Sequence, residues 1–474
     1  MTQALLWSGL DLVTQVQARV RGSVPVGVTG ISIDTRTLQP GDLFIAIKGE
    51  AQDGHDHVAT ALDKGAAAAV VDEAHADALA AAGPLYIVHD TLRAMEALGR
   101  AARDRVAGRI IAVTGSVGKT STKEALRTVL SEAGATHASA ASYNNHWGVP
   151  LTLARMAAAT RFGVFEIGMN HAGEITPLVG MVRPHIAIVT TVAPVHLEFF
   201  SGVDAIADAK AEIFTGLEPG GLAVINRDDA TFERMHAKAE ASPARHVLSF
   251  GAHQQADARL DTLTPVSDGS LVRATVLGQA VNFHLGAPGR HMAMNALAIL
   301  IAAKASGLDL EAAAASLGHV AAGQGRGQQS RIPLGAGAFT LIDESYNANP
   351  ASMQAALALL GATVPGPNGR RIAVLGDMRE LGPEAPALHR DLAEPIHANE
   401  VDLVFAAGGL MRDLLEALPA TRRGGWGDRS DAIQAALFDN LRAGDVVMVK
   451  GSNASRMGPL VQALKAHFTP SVAA

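Results

Sequence analysis

One segment, residues 110–122, restricts the chain to a narrow set of folds. It reads IIAVTGSVGKTST. An apolar run of strand character enters a glycine turn, and Lys119 and Thr120 open a helix carrying Leu126, Val129, Leu130 and Ala133 at helical spacing. Strand, turn and helix in this order build a mainly parallel α/β sheet. Residues Gly115, Ser116, Val117, Gly118, Lys119, Thr120 and Ser121 present backbone N–H groups and a helix N-terminus to phosphate oxygens. Lys119 would bridge the terminal phosphates and the Thr120 hydroxyl would reach Mg²⁺. Val113 stands where the general GxxxxGK[ST] pattern has its first glycine. The bland alternative is an ordinary strand-to-helix turn, but all five parts fall in register.

The same rhythm continues along the chain. Apolar runs at 110–113, 164–167, 186–192 and 222–225 alternate with helical stretches, and residues 245–285 alternate as antiparallel strands do. The glycine-rich AAGQGRGQ marks a hinge over 323–328, beyond which runs at 372–375, 403–407 and 446–449 resume the pattern. Before the phosphate loop, short strands at 44–47 and 67–71 flank a helical stretch, and a linking helix covers 91–106. A length of 474 residues suggests about three domains. All are expected to be α/β: a small mixed N-terminal domain (1–107), a central P-loop ATPase-like domain (108–325) and a C-terminal Rossmann-like domain (326–474).

A net charge of −7 argues against a general nucleic-acid binder. The absence of cysteine excludes disulfides, thiolate zinc sites and cysteine nucleophiles. The start MTQALLWSGLDLV lacks a basic region and carries Asp11, unlike a signal peptide. No run approaches the roughly 18 uncharged apolar residues of a membrane span. A cytoplasmic monomer without membrane insertion is expected.

Glu166 ends one apolar run, His196 follows another, and Lys210 lies in the helical DAIADAKAEIF. Strand C-termini share an edge with the phosphate loop, so Glu166 and His196 can converge there. Taken singly, His196 is equally a hydrogen-bonded loop residue and Lys210 a solvated helix face. An ammonium cannot bind Mg²⁺, so Lys210 would need conversion to a carbamate.

TGSVGKTS, FEIGMNHAGEI, APVHLEFF, AKAEIF, GRHMAMNALA and LIDESYNANP occur in the order seen in the Mur ligases of peptidoglycan synthesis. With ISIDTRTLQPGDLFIAIKGEAQDGHDHV before them and VLGDMRELG and VVMVKGSNASRM after them, nearly the whole chain resembles that family. The resemblance implies ATP on Lys119 and the 115–120 loop, Asn295 at adenine, Asp343 at ribose, Tyr346 against the base, and Arg326 bridging to phosphate. Thr120 and Glu166 would serve one Mg²⁺, His196 and carbamylated Lys210 a second. Ser32, Asp34, Thr35, Arg36, Lys48, Asp53, Gly54 and His55 would face the uridine diphosphate of UDP-MurNAc-tripeptide, with Asn144 and Asn145 in a substrate loop. Asp377, Lys450 and Arg456 would meet D-alanyl-D-alanine. From the residues alone, the Asp34–Arg36 turn is equally side-chain-capped, Asn295 a helix-surface amide and Arg326 a solvated linker charge.

Two positions depart from the family pattern: Asn453 replaces an expected Arg after KGS, leaving Arg456 for the dipeptide carboxylate, and Phe199 replaces a Gly. The implied reaction activates a carboxylate as an acyl phosphate that the dipeptide amine attacks, with Lys119, Arg326 and the metals spreading charge. The nearest rival, the ligase adding the third amino acid, usually carries a DNPR-type motif where this chain has GDMREL. Folylpolyglutamate synthetase lacks the DTR…DGH domain. A P-loop switch would leave Glu166, His196, Lys210 and the last domain without purpose.

Overall fold

The first domain forms around short strands too apolar to face water on either side. In the computed structural model, which describes residues 4–49, 52–140, 142–195, 197–266 and 268–468, they pair in the order Arg19–Arg21, Leu85–Val88, Ala68–Asp72, Asp42–Ile45 and Gly30–Ser32. Only the first pair is antiparallel. Helix Thr91–Asp104 follows, its N-terminus capped by the Asp90 carboxylate, which accepts from the Leu92 and Arg93 N–H groups. It packs on helix Gly148–Ala154, which comes later in the chain. Trp7 donates its indole N–H to the Ala154 carbonyl at 2.9 Å, and Leu151 and Ala154 belong to the N-terminal core. That core therefore reaches past residue 107.

The central sheet runs in the order Gln279–Leu285, Gly269–Val276, Ala258–Val266, Ala244–Gly251, Gly221–Asn226, Ile186–Val189, Arg109–Thr114, Phe162–Glu166 and Thr136–Ala138. The antiparallel expectation for 245–285 holds for the last three strands in sequence. Ala244–Gly251 is instead parallel to its neighbour Gly221–Asn226, because helix Phe232–Glu240 intervenes and returns the chain in the same direction. The apolar run expected over 186–192 leaves the sheet after Val189, where Thr190 and Thr191 bond the phosphate loop instead. Helix Arg290–Ala305, alanine-rich and buried from Asn295 through Ala303, packs against helix Lys119–Ser131 and fills the core between.

The last sheet runs Gln328–Leu334, Gly337–Glu344, Val446–Lys450, Arg371–Gly376, Leu403–Ala407 and Arg423–Gly427. Only the first pair is antiparallel, so four parallel strand ends share one edge with Glu344. No helix among the described residues is long and apolar enough to cross a membrane.

Candidate nucleotide and substrate site

Strand Arg109–Thr114 delivers the phosphate loop to the start of helix Lys119–Ser131. Gly118 has φ +85°, and a Cβ there would come within 2.8 Å of Asn295 Nδ2. Gly115, at φ +148°, lies directly beneath Thr190 Oγ1, where any side chain would collide. Lys119 Nζ donates to the Gly115 carbonyl at 2.7 Å. Thr120 Oγ1 donates to Glu166 Oε2 at 2.8 Å, and Asn144 Nδ2 donates to Glu166 Oε1 at 2.7 Å. The loop, the strand end and the substrate loop thus meet at one buried carboxylate. A hydroxyl and a carboxylate are hard oxygen donors of the kind Mg²⁺ takes, so these residues fit that ion.

The loop lines a cavity of about 560 Å³ that the C-terminal domain closes from the other side with Arg326, Glu344, Tyr346, Asn347 and Lys450. Burial pushes the Lys119 amine below its ordinary value; Glu166 opposes this and Arg326 adds to it. Burial likewise lowers Lys450, against the pull of Glu344 and with the push of Arg326. Three cations held close and partly dehydrated are complementary to a polyphosphate. The Arg326 guanidinium stacks 4.0 Å from the Tyr346 ring centroid, and Tyr346 donates its hydroxyl to Ser142 Oγ at 2.8 Å. The C-terminal lobe therefore touches the central domain directly.

Several expectations change here. Lys450 belongs to this cavity, bonded to Glu344 Oε2 at 3.3 Å and the Asn347 carbonyl at 2.9 Å, not to the face holding Asp377 and Arg456. Asp343 is buried and committed: its oxygens accept from Gly325 N–H, Ser345 N–H and Ser345 Oγ, so it shapes the hinge behind the cavity wall. Asn295 is buried and lines the cavity, not a surface amide. Lys210 is only 2% exposed, ruling out a solvated face. Burial and the charge of Lys119 push its amine well below the ordinary value, and no hydrogen bond or ion pair holds it among the described residues. It lies off the cavity wall. His196 falls outside the described residues.

In the N-terminal domain, Arg36 grips Asp34 through Nε and Nη2, which lowers the Asp34 carboxyl to about 2, while the guanidinium stays exposed. Ser32 Oγ donates to the Asp34 carbonyl, and the Thr35 carbonyl accepts from Lys64. Exposed Lys48 bridges to Asp53 through the backbone, and Gly54 sits too close to the Ile47 backbone for any side chain. His55 departs from the expected uridine contact. It is buried, Nδ1 donates to Asp53 Oδ1 at 2.6 Å, and Nε2 accepts the Asp72 N–H at 3.1 Å. Both ring nitrogens are used inside the domain. Asn145 caps helix Gly148–Ala154 through the Trp147 and Gly148 N–H groups.

A second cavity, of about 430 Å³, opens at the C-terminal sheet edge between Asp377, Arg379, Gly408, Arg429 and Arg456. Asp377 Oδ1 accepts the Met411 N–H at 3.1 Å, and Arg456 takes φ +53° with its carbonyl bonded by Ser430. Sequence reasoning missed Ser142, Thr190, Thr191, Asn226, His291 and Glu344, all on the first cavity's wall. Thr190, Asn226 and Glu344 stand at strand C-termini, the one signal that could have found them.

Three family models match: Mur ligase family, catalytic domain, over residues 27–105; Mur ligase middle domain, over 113–303; and Mur ligase, glutamate ligase domain, over 325–453. The UDP-N-acetylmuramoyl-tripeptide–D-alanyl-D-alanine ligase of Escherichia coli is 35% identical over 451 residues, covering 94% of this chain and 95% of its own. The Bacillus subtilis protein of the same name is 30% identical, covering 92% and 93%. Among solved structures, MurF from Acinetobacter baumannii is similar with a TM-score of 0.84 at 29% identity, over 97% of this chain and 99% of that one.

Proposed function

This chain belongs to the Mur ligase family, and on that premise we propose that it joins D-alanyl-D-alanine to UDP-N-acetylmuramoyl-tripeptide with conversion of ATP to ADP and phosphate. The product is the pentapeptide nucleotide used in peptidoglycan synthesis. The observation that carries the reading is the two-sided cavity, in which Lys119 and the Thr120–Glu166–Asn144 network face Arg326 and Lys450 from the other domain.

In the first step, the tripeptide's terminal carboxylate oxygen bonds to the γ-phosphorus as the bond to ADP breaks. Lys119, Arg326 and Lys450 hold the charge that spreads over the transferring group. Thr120 and Glu166 would hold Mg²⁺, which would supply further neutralisation of the phosphate oxygens. The dipeptide amine then attacks the acyl carbon, the C–N bond forms, phosphate departs and the amine loses its proton. Asn144 ties the substrate loop to Glu166, which aligns the carboxylate with the phosphate. The exposed Arg36 guanidinium, steadied by Asp34, suits the uridine diphosphate, and Asp377 with Arg456 suits the two charged ends of the dipeptide. A neutral amine reacts with CO₂, so the buried Lys210 is suited to become a carbamate that would take a second Mg²⁺.

The test is phosphate release with each substrate omitted in turn, run with both the diaminopimelate and lysine tripeptides. Release that needs tripeptide nucleotide and D-alanyl-D-alanine together is expected with one or both. Substrate-independent nucleotide turnover would overturn the ligase reading in favour of a P-loop switch.

A further inference from the structure

The loop from Thr190 to Ala193 clasps the phosphate loop. Thr190 Oγ1 donates to the Val117 carbonyl at 2.5 Å, Ser116 N–H donates to the Thr191 carbonyl at 2.8 Å, and Ser116 Oγ accepts the Ala193 N–H at 2.9 Å. Its far side is held from the end of the neighbouring strand Gly221–Asn226. Asp229 Oδ1 accepts the Thr191 hydroxyl at 2.7 Å and Oδ2 accepts the Val192 N–H at 2.8 Å.

We propose that Asp229 is a positioning residue for nucleotide binding, acting through the Thr190–Ala193 loop on Ser116 and the phosphate loop. Both carboxylate oxygens are spent on that loop, so its placement against the phosphate loop depends on them. Burial raises the Asp229 carboxyl to about 6, with Asp228 adding repulsion, and no cation pairs with it among the described residues. A carboxylate in such a place stabilises the fold poorly, and both of its side-chain hydrogen bonds lead to the loop that holds Ser116.

The inference rests on the nucleotide reading above, so the assay must separate the two. Titration calorimetry on the full chain would measure a non-hydrolysable ATP analogue with Mg²⁺, and UDP-MurNAc-tripeptide separately. Asp229→Ala is expected to weaken the analogue at least tenfold and the tripeptide nucleotide less than threefold. Asp229→Asn keeps an oxygen for the Val192 N–H and can donate to the Thr191 hydroxyl, so it should restore analogue affinity to within threefold. Thr191→Val, which removes one contact and leaves Asp229 intact, should fall between, and decides the matter should the alanine variant not fold. Unchanged analogue affinity in Asp229→Ala or in Thr191→Val overturns the proposal, as does equal loss of both ligands. Wild-type protein that fails to bind the analogue sinks the nucleotide reading itself.

Discussion

Replacing Lys210 by Met removes an amine while keeping most of the buried volume, and Lys210→Ala removes both. The side chain is 2% exposed on helix Val203–Ala211, on the side that buries Ile206, Ala207 and Ala209. An unpaired ammonium there would cost several kcal/mol, by the measure of broken buried ion pairs at about 3–5 kcal/mol. Burial and Lys119 push the amine toward its neutral form, so Met should leave unfolding free energy within about 1 kcal/mol of wild type. Ala deletes about three methylenes at about 0.8 kcal/mol each and leaves a cavity, a loss of roughly 2–4 kcal/mol. If the proposed carbamate forms, turnover should fall at least about a hundredfold in both, since neither variant has the amine from which it would be made. Acetate at high concentration should restore part of it in the alanine variant alone, because only that variant has the room. Urea denaturation reads the stability, phosphate release reads turnover, and ¹³C NMR after equilibration with labelled bicarbonate reads the carbamate carbon. A methionine variant turning over within threefold of wild type would refute the carbamate.

Lys119→Ala should lower turnover about a thousandfold or more with a melting temperature near wild type, since its amine is partly dehydrated and makes one hydrogen bond to the Gly115 carbonyl; activity within a few-fold of wild type would sink the phosphate-loop assignment. Asp229 holds its proton more tightly folded, at about 6 against 3.8, so its stabilising contribution is complete below pH 3.8 and lost as pH rises through 6. The full shift is worth about 3 kcal/mol and partial exposure reduces this to about 1–2 kcal/mol. Asp229→Asn should thus melt higher than wild type at pH 8 and level with it below pH 4, and equal melting curves at pH 8 would contradict this. Tyr346→Phe removes a hydrogen bond of about 1 kcal/mol between the C-terminal lobe and Ser142. Initial-rate kinetics should show the KM for ATP rising about fivefold or less, with stability unchanged; an unaltered KM would mean the contact plays no part in nucleotide capture.

The phosphate loop and the mainly parallel α/β rhythm around it were legible because strand, glycine and helix each leave a periodic or compositional trace. Glu166 was legible for the same reason, ending an apolar run. Other errors share a cause: adjacent loops at one sheet edge look alike in sequence. Lys450 and Asp377 both follow C-terminal strands, and only packing sends one to Glu344 and the other to Met411. His55 sits in a polar DGH segment that invites a ligand, yet Asp53 and Asp72 consume both its nitrogens. The run expected through Val192 is interrupted by Thr190 and Thr191, and there backbone bonding to Ser116 replaces the strand ladder. Ser142 and Asp229 are single polar residues in loops without period, and nothing local distinguishes Asp229 from Asp228.

Helix Gly148–Ala154 works as a shared wall between lobes. Its first turn is capped by Asn145, whose neighbour Asn144 reaches Glu166, and its apolar side completes the core around Trp7. An excised N-terminal fragment would lose that wall, so it should not serve as a stand-alone sugar-nucleotide module in ligand screening. Because one helix completes the N-terminal core and, through Asn145 and Asn144, leads to the carboxylate at the phosphate loop, a change in the packing of either lobe is felt at the other.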